Sequence, residues 1–183
     1  GAEILVDDIR RRLMKNKASG QECLDVHEEA HRVGMRSTAT MMFGHIESRA
    51  DRVEHMRMLR DLQDRTGGFT AFIGWTFQPG NTELGGQEAT TAEYLRTMAV
   101  ARIFLDNIRN IQASWVTQGP KVGAASLAFG VNDMGSTMIE ENVVSAAGTV
   151  NHMNEPEIAA AVRDAGFIPM RRNMLYERLG APN

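Results

Sequence analysis

Short stretches that read as β-strands alternate with stretches that read as amphipathic helices along nearly the whole chain, and this alternation limits the fold more than any other feature. Its clearest instance is Ser37-Thr-Ala-Thr-Met-Met-Phe-Gly-His-Ile-Glu47. Apolar and small hydroxyl side chains lead there into a glycine turn that presents His45 and Glu47, with a helical pattern on either side. Repeated steps of this kind join parallel strands through right-handed crossovers. Polar groups just beyond the carboxyl end of a strand lie where such folds keep their chemistry.

Taken in order, Gly1 to Val6 reads as an opening strand, and acids followed by bases mark a short helix over 7–14. Ser19 and Glu22 form a capping box for a helix running to about Val33, with Gly34 as its stop. After the Ser37–Phe43 strand, Ser48 caps a long helix with Val53, Met56, Leu59 and Leu62 at helical spacing, ended by Gly67-Gly68. Phe69–Phe77 is the third strand and Gln78–Gly86 a loop. Thr90 or Thr91 opens a helix with Leu95, Met98, Ile103 and Leu105 on its buried side. Ile111–Val116 is the fourth strand, Val122–Phe129 a short helix and Gly135–Ile139 a fifth strand. Glu155–Ala165 is the last helix, followed by Gly166 and a polar tail.

No G-x-G-x-x-G follows a strand and no P-loop occurs, so nothing favours an open nucleotide-binding sheet. A (β/α)8 barrel fits better, but about five strands stand where closure needs eight. The chain also enters at once on apolar residues. The expectation is the C-terminal portion of one barrel domain, with 1–183 as a single unit that on its own is poorly soluble or oligomeric. A net charge of -3 gives no argument for nucleic-acid or membrane-surface partners. No apolar run approaches the ~20 residues of a transmembrane helix. No signal peptide is visible, so the expected location is cytoplasmic. The single cysteine, Cys23, makes an intrachain disulfide impossible and reads as inert.

His27-Glu28-Glu-Ala-His31 matches H-E-x-x-H, which on a helix puts two imidazoles on one face with Glu28 as a general base for zinc hydrolysis. The extended pattern wants a third ligand at position 37, which is Ser37, so the motif reads as a decoy and no metal ligands are assigned. His45 and Glu47, behind a glycine at a strand end, are the better catalytic candidates; the bland alternative is a histidine that fixes the loop. Trp75, Phe77 and Gln78 end the third strand in the same way. Ser114, Asn132, Asp133, Glu140 and Glu141 add polar groups at strand ends or adjoining loops. Glu3 is a carboxylate among apolar neighbours that needs a partner. These groups converge on one rim, as a ligand site requires. His31, His55 and His152 read as helix-surface or structural residues.

Longer motifs carry a resemblance. His31-Arg-Val-Gly-Met35 running into Ser37–Glu47, Thr66-Gly-Gly-Phe-Thr-Ala-Phe-Ile73, Trp75-Thr-Phe-Gln-Pro-Gly-Asn-Thr82, Gln112-Ala-Ser-Trp-Val-Thr117 and Asn132-Asp-Met-Gly-Ser-Thr-Met-Ile-Glu-Glu-Asn-Val-Val144 resemble the radical S-adenosylmethionine enzymes of futalosine and deazaflavin chemistry. Within that family the motifs are most similar to the members that cyclise dehypoxanthine futalosine in menaquinone biosynthesis. Aminofutalosine synthases and deazaflavin synthase subunits are the near neighbours. The resemblance implies a radical S-adenosylmethionine barrel, a [4Fe-4S] cluster held by C-x3-C-x2-C, S-adenosylmethionine, an electron donor for the cluster and a nucleoside substrate. It places Glu3 near adenosylmethionine or sugar hydroxyls, Thr38, Thr40, His45 and Glu47 along the substrate, and Trp75 and Phe77 beside a ring. Gln78, Ser114, Asn132, Asp133, Glu140 and Glu141 become polar contacts or proton acceptors. The cluster cysteines are absent from these residues, so this polypeptide alone is expected to be inactive. A partner-completing subunit is the non-catalytic alternative.

Overall fold

The computed structural model describes residues 3–14, 16–137 and 151–180. It is an α/β arrangement in which a three-stranded parallel sheet alternates with helices. In chain order the elements are α1 (Asp7–Leu13), α2 (Gly20–Arg32), β1 (Ser37–Phe43), α3 (Arg49–Thr66), β2 (Phe69–Thr76), α4 (Thr91–Phe104) and β3 (Asn110–Gln112). There follow α5 (Trp115–Gln118), α6 (Pro120–Ser126), a 3-10 turn (Leu127–Phe129), α7 (Glu155–Asp164), and a hairpin of β4 (Arg171–Arg172) and β5 (Arg178–Gly180). The sheet order is β1-β2-β3, with Thr40 beside Ile73 and Ile73 beside Gln112. The antiparallel hairpin is separate.

The helices form where their caps dictate. Ser19 with Glu22, Ser48 with Asp51 and Asn154 with Glu157 each close a capping box, and Thr90 accepts from the Glu93 amide. Gly67 ends α3 in the left-handed region at φ 59°, donating to the Gln63 carbonyl.

Alternation along the strands separates two faces. Ala39, Met41 and Phe43 from β1, Phe72 from β2 and Ile111 from β3 are buried against Met56, Leu59 and Leu62 of α3 and Tyr94 and Met98 of α4. Phe43 stacks on Tyr94 at 6.3 Å. Each of these large apolar side chains contributes about 1.5–3 kcal/mol on burial. Thr38, Thr40, Met42, Ile73 and Trp75 take the opposite, half-buried face.

Several sequence expectations are corrected. The fourth strand shortens to Asn110–Gln112, and Trp115 and Val116 turn into α5 as buried core instead. Past β3 the next sheet-like contact is a single parallel bridge between Gln112 and Asp133. The fifth strand expected over 135–139 runs into residues outside the described ones. Ile103 is 79% exposed, because α4 buries the Tyr94-Thr97-Met98-Ala101 stripe and residue 103 falls off it. Val53 is likewise exposed, and the polar tail contains the hairpin.

The opening strand fails for a specific reason. Met42 donates its amide to the Glu3 carbonyl at 2.8 Å, so residues 3–5 lie alongside β1. A parallel ladder in that register would return the Leu5 amide to the Met42 carbonyl. Instead Leu5 donates to Nδ1 of His55 at 3.0 Å, and Met42's carbonyl faces Nε2 of His45 at 3.1 Å. Two histidines have replaced one backbone bond. His55, expected as a helix-surface or structural residue, is structural and fully buried.

Accepting from Leu5 requires an unprotonated Nδ1. Burial holds the His55 pKa far down, at about 3 against an ordinary 6.5. The unfolded chain therefore binds a proton here that the native state refuses, and stability falls as pH drops from 6.5 towards 3, by up to ~1.4 kcal/mol per pH unit from this group. His55→Leu is expected to remove that slope and to cost about 2–3 kcal/mol at neutral pH by orphaning the Leu5 amide. Denaturant unfolding between pH 4 and 7 checks both, and parallel pH profiles for the two proteins would contradict the assignment.

Candidate functional site

Of the residues expected to converge on one rim, Trp75 and Phe77 lie on the half-buried sheet face. Thr38 and Thr40 project from β1, Ile73 and Trp75 from β2, and Gln112 from β3. Phe77 continues the parity of Trp75, and its amide donates to the Phe43 carbonyl at 2.7 Å. Aromatic rings beside hydroxyls on an incompletely covered face can hold a planar ligand and its sugar-like hydroxyls.

His45 and Glu47 come together at the carboxyl end of β1, but as a sealed pair. Both side chains are 0% exposed, with Nδ1 of His45 2.9 Å from Glu47 Oε2. Gly44 has φ 87°, and this left-handed turn aims its own amide and that of His45 at the Glu47 carboxylate, 2.6 and 2.9 Å away. Arg52 of α3 donates through Nε at 2.7 Å, and its Nη2 lies 2.6 Å from Glu47 and 2.7 Å from Glu93 of α4. The guanidinium also covers the Phe43 ring at 4.8 Å. Burial alone would raise the Glu47 carboxyl. Hydrogen bonds from His45 and the Gly44 amide, with the charge of His45, hold it at about 2. Nδ1 of His45 faces both the Ile46 amide, 2.7 Å away, and Glu47, so it can accept from one or donate to the other. The imidazole edge meets Phe77 at 6.2 Å. This network orients the turn and Phe77; neither its carboxylate nor its imidazole is open to solvent.

The remaining candidates divide. Glu3 is paired with Lys17 and lies 3.9 Å from Arg10; burial opposes its ionisation, yet the Lys17 contact keeps its pKa lowered. Gln78 and Gln118 both donate to the Thr76 hydroxyl. Ser114 shares a hydrogen bond with Thr117 at 2.9 Å, and its amide donates to the Tyr94 hydroxyl at 3.0 Å. Asn132 is a bracket: its side-chain oxygen accepts from the Ile111 amide and from Arg102, each at 2.8 Å. Asp133 is held by both arms of Arg172, at 2.5 and 2.8 Å. Glu140 and Glu141 lie outside the described residues.

The H-E-x-x-H histidines are consumed by structure. Thr66 donates to the Leu62 carbonyl at 3.0 Å, so it accepts from Nδ1 of His31 at 2.8 Å. Nε2 of His31 then accepts from Ser37 at 2.8 Å, and Ser37 accepts from Nδ1 of His27 at 3.0 Å. Both rings sit edge-on to Phe69, and burial lowers both pKa values. A Cβ on Gly68 would fall 2.0 Å from the His31 ring, so that glycine makes the room. Among the described residues no group of three or more His, Cys, Asp or Glu could hold a metal ion. A wide cleft of about 810 Å³ beside α2, lined by Lys17, Cys23 and His27 among others, lies apart from the open sheet face. No helix of the described residues is long and apolar enough to cross a membrane.

Sequence reasoning missed Arg172 and Tyr176. They lie 39 and 64 residues from the partners they touch, and no local pattern signals such contacts.

Comparison with known proteins follows the same residues. The chain is 50% identical over 180 residues to cyclic dehypoxanthine futalosine synthase of Streptomyces coelicolor, covering 98% of this chain and 45% of that protein. It is 48% identical over 178 residues to the enzyme of the same name from Halalkalibacterium halodurans, covering 97% and 48%. Aminodeoxyfutalosine synthase of Thermus thermophilus is 43% identical over 186 residues, covering 98% and 50%. The chain thus spans about half the length of the curated relatives it matches. Residues 66–183, which run from the end of α3 through the bracketing Asn132 and the Arg172 hairpin, match the family described as CofH/MqnC C-terminal region, and the chain belongs to that family.

Proposed function

We propose that this chain forms the substrate-holding part of a radical S-adenosylmethionine enzyme that cyclises dehypoxanthine futalosine in menaquinone biosynthesis. The observation that carries the reading is the open sheet face, with Thr38, Thr40, Trp75 and Phe77 on it and a rigid turn behind it. Relatives half identical along nearly the whole chain bear the name of that reaction. In this reading 1–183 is the C-terminal portion of one (β/α)8 barrel in a cytoplasmic enzyme. Its substrate is a small nucleoside, and an electron donor serves the cluster.

The residues present do not fit a [4Fe-4S] cluster. Such a cluster takes several thiolates, whereas Cys23 is the only cysteine and its sulfur accepts from buried Arg10 at 3.2 Å. In this reading the cluster is held by residues outside this chain. S-adenosylmethionine supplies the hydrogen-abstracting radical when bound, and Glu3 is the residue of this chain proposed to face it.

What this chain contributes is placement. Trp75 and Phe77 flank the aromatic ring, and Thr38 and Thr40 take hydroxyls or ring acceptors, fixing the reacting carbons near each other. His45 and Glu47, sealed from the ligand, act as positioning residues through the turn and Phe77. Gln78 and Ser114 border the same face. Closure of a carbon radical onto the aromatic ring forms the new C–C bond and leaves a ring radical. That radical regains aromaticity by losing one electron, to a one-electron acceptor held outside this chain, and one proton, for which Glu140 or Glu141 is the proposed acceptor.

In the holoenzyme, dehypoxanthine futalosine is expected to be consumed in preference to the aminodeoxyfutalosine and deazaflavin precursors, as product analysis by mass spectrometry would report. Preference for either other precursor would overturn the assignment. Glu140→Gln or Glu141→Gln is expected to lower kcat about 10²-fold and to remove the acidic limb of the pH–rate profile; unchanged profiles in both would exclude these carboxylates. Glu47 stabilises the fold above its unfolded pKa near 4.5, and that contribution disappears as pH falls towards 2. Glu47→Gln should cost about 3 kcal/mol at pH 7 by leaving buried Arg52 short of a counter-charge. Chemical denaturation at pH 7 and pH 3 would show a gap that narrows with acid.

A further inference from the structure

The C-terminal hairpin is tied to the open sheet face by a closed circuit of contacts. Arg172 grips Asp133 with two guanidinium nitrogens, and Asp133 Oδ1 accepts from the Gly135 amide at 2.6 Å. Gly135, at φ 79°, lies against the Gln112 side chain so closely that a Cβ would fall 2.9 Å from Nε2. The oxygen of that amide accepts from the Tyr176 hydroxyl at 3.2 Å. The Tyr176 ring lies under the Arg172 guanidinium at 4.0 Å, which completes the loop.

Two further observations mark the arrangement as specified rather than incidental. Tyr176 has φ 64°, a left-handed conformation rare for an aromatic residue. It is enforced locally: the Tyr176 amide donates to the Asn173 carbonyl, and the Asn173 side-chain oxygen accepts from the Leu175 and Glu177 amides. Burial and Asp133 push the phenol up to about 12, so the hydroxyl keeps the proton it donates.

We propose that this clasp makes Tyr176 and Arg172 positioning residues of the substrate site, holding Gln112 with its amide N–H donors directed at an acceptor oxygen, carbonyl or hydroxyl, on the nucleoside. The proposal rests on the open sheet face being the substrate face. With its oxygen occupied by Tyr176 and the bare Gly135 backbone packed beside its nitrogen, the Gln112 amide is fixed in one orientation, and a pre-oriented donor binds without losing rotamer freedom.

The test uses the holoenzyme and whichever of the three precursors it turns over. Tyr176→Phe removes the hydroxyl and little else. It is expected to raise KM about 5- to 10-fold, as loss of one oriented hydrogen bond does, with kcat within about twofold. Gln112→Leu should raise KM by at least as much, and the double variant should add nothing to the larger single effect. Arg172→Lys, which keeps the charge and loses the fork, should fall between wild type and Tyr176→Phe. A merely structural hairpin would lower the melting temperature and leave KM unchanged, or give additive KM effects; either result overturns the proposal. If the holoenzyme turns over none of the precursors, the substrate assignment fails. The clasp is then judged by the side-chain amide resonances of Gln112, which must be dispersed and slow to exchange with water in wild type and averaged in Tyr176→Phe. Identical signals in the two proteins would refute it.

Discussion

The junction after β1 depends on one buried carboxylate. Glu47 accepts from the Gly44 and His45 amides and from Arg52 and lies against the His45 ring, so a single side chain joins strand, turn and α3. Arg52 extends the junction to Glu93 and Thr97 of α4 and roofs the Phe43 ring. A buried ion pair of this kind is weak evidence for net stability, because desolvation offsets much of its attraction. What it contributes is geometry: two turn amides and Arg52 converge on one carboxylate, which fixes the turn and the His45 ring that meets Phe77 edge-on.

The same economy of polar groups explains where β1 ends its pairing. His45 and His55 approach from the turn and from α3 and take the two backbone groups that would have bonded each other across residues 5 and 42. The residues that carry Glu3 are thereby held beside β1 by side chains instead of a regular ladder. Their position then depends on His55 staying neutral, which complete burial enforces.

Much of this was legible in the sequence. Ser19, Ser48, Thr90 and Gly67 announce helix boundaries because capping is a local interaction between residues three apart. The β1 and β2 cores are legible because one face alternates against helices. The failures share a cause of the opposite kind. Nothing near Leu5 signals that a histidine 50 residues on will take its amide, and nothing near Tyr176 signals Gln112. The His27–His31 motif misleads for the same reason: its spacing is local, whereas its meaning is set by Ser37, Thr66 and the bare backbone of Gly68. His45 and Glu47 stand out by position, yet whether such a pair meets a ligand or a backbone amide is a matter of burial, which periodicity does not encode.

On the proposed reading, placement of the candidate residues also separates two tasks on one face. The β1 and β2 ends present rings and hydroxyls held by a charged, solvent-excluded turn, a rigid arrangement suited to fixing reacting atoms. The β3 side is polar and is completed by a segment from the far end of the chain, through Arg172 and Tyr176. A site assembled from such distant segments can change what it recognises without disturbing the sheet, because the hairpin is anchored through side chains and its own short ladder. Proteins similar to this chain carry the names of different reactions. On the proposed reading, a change confined to the clasp around Gln112 alters a donor's direction while leaving the Glu47 junction and the apolar layer beneath it intact.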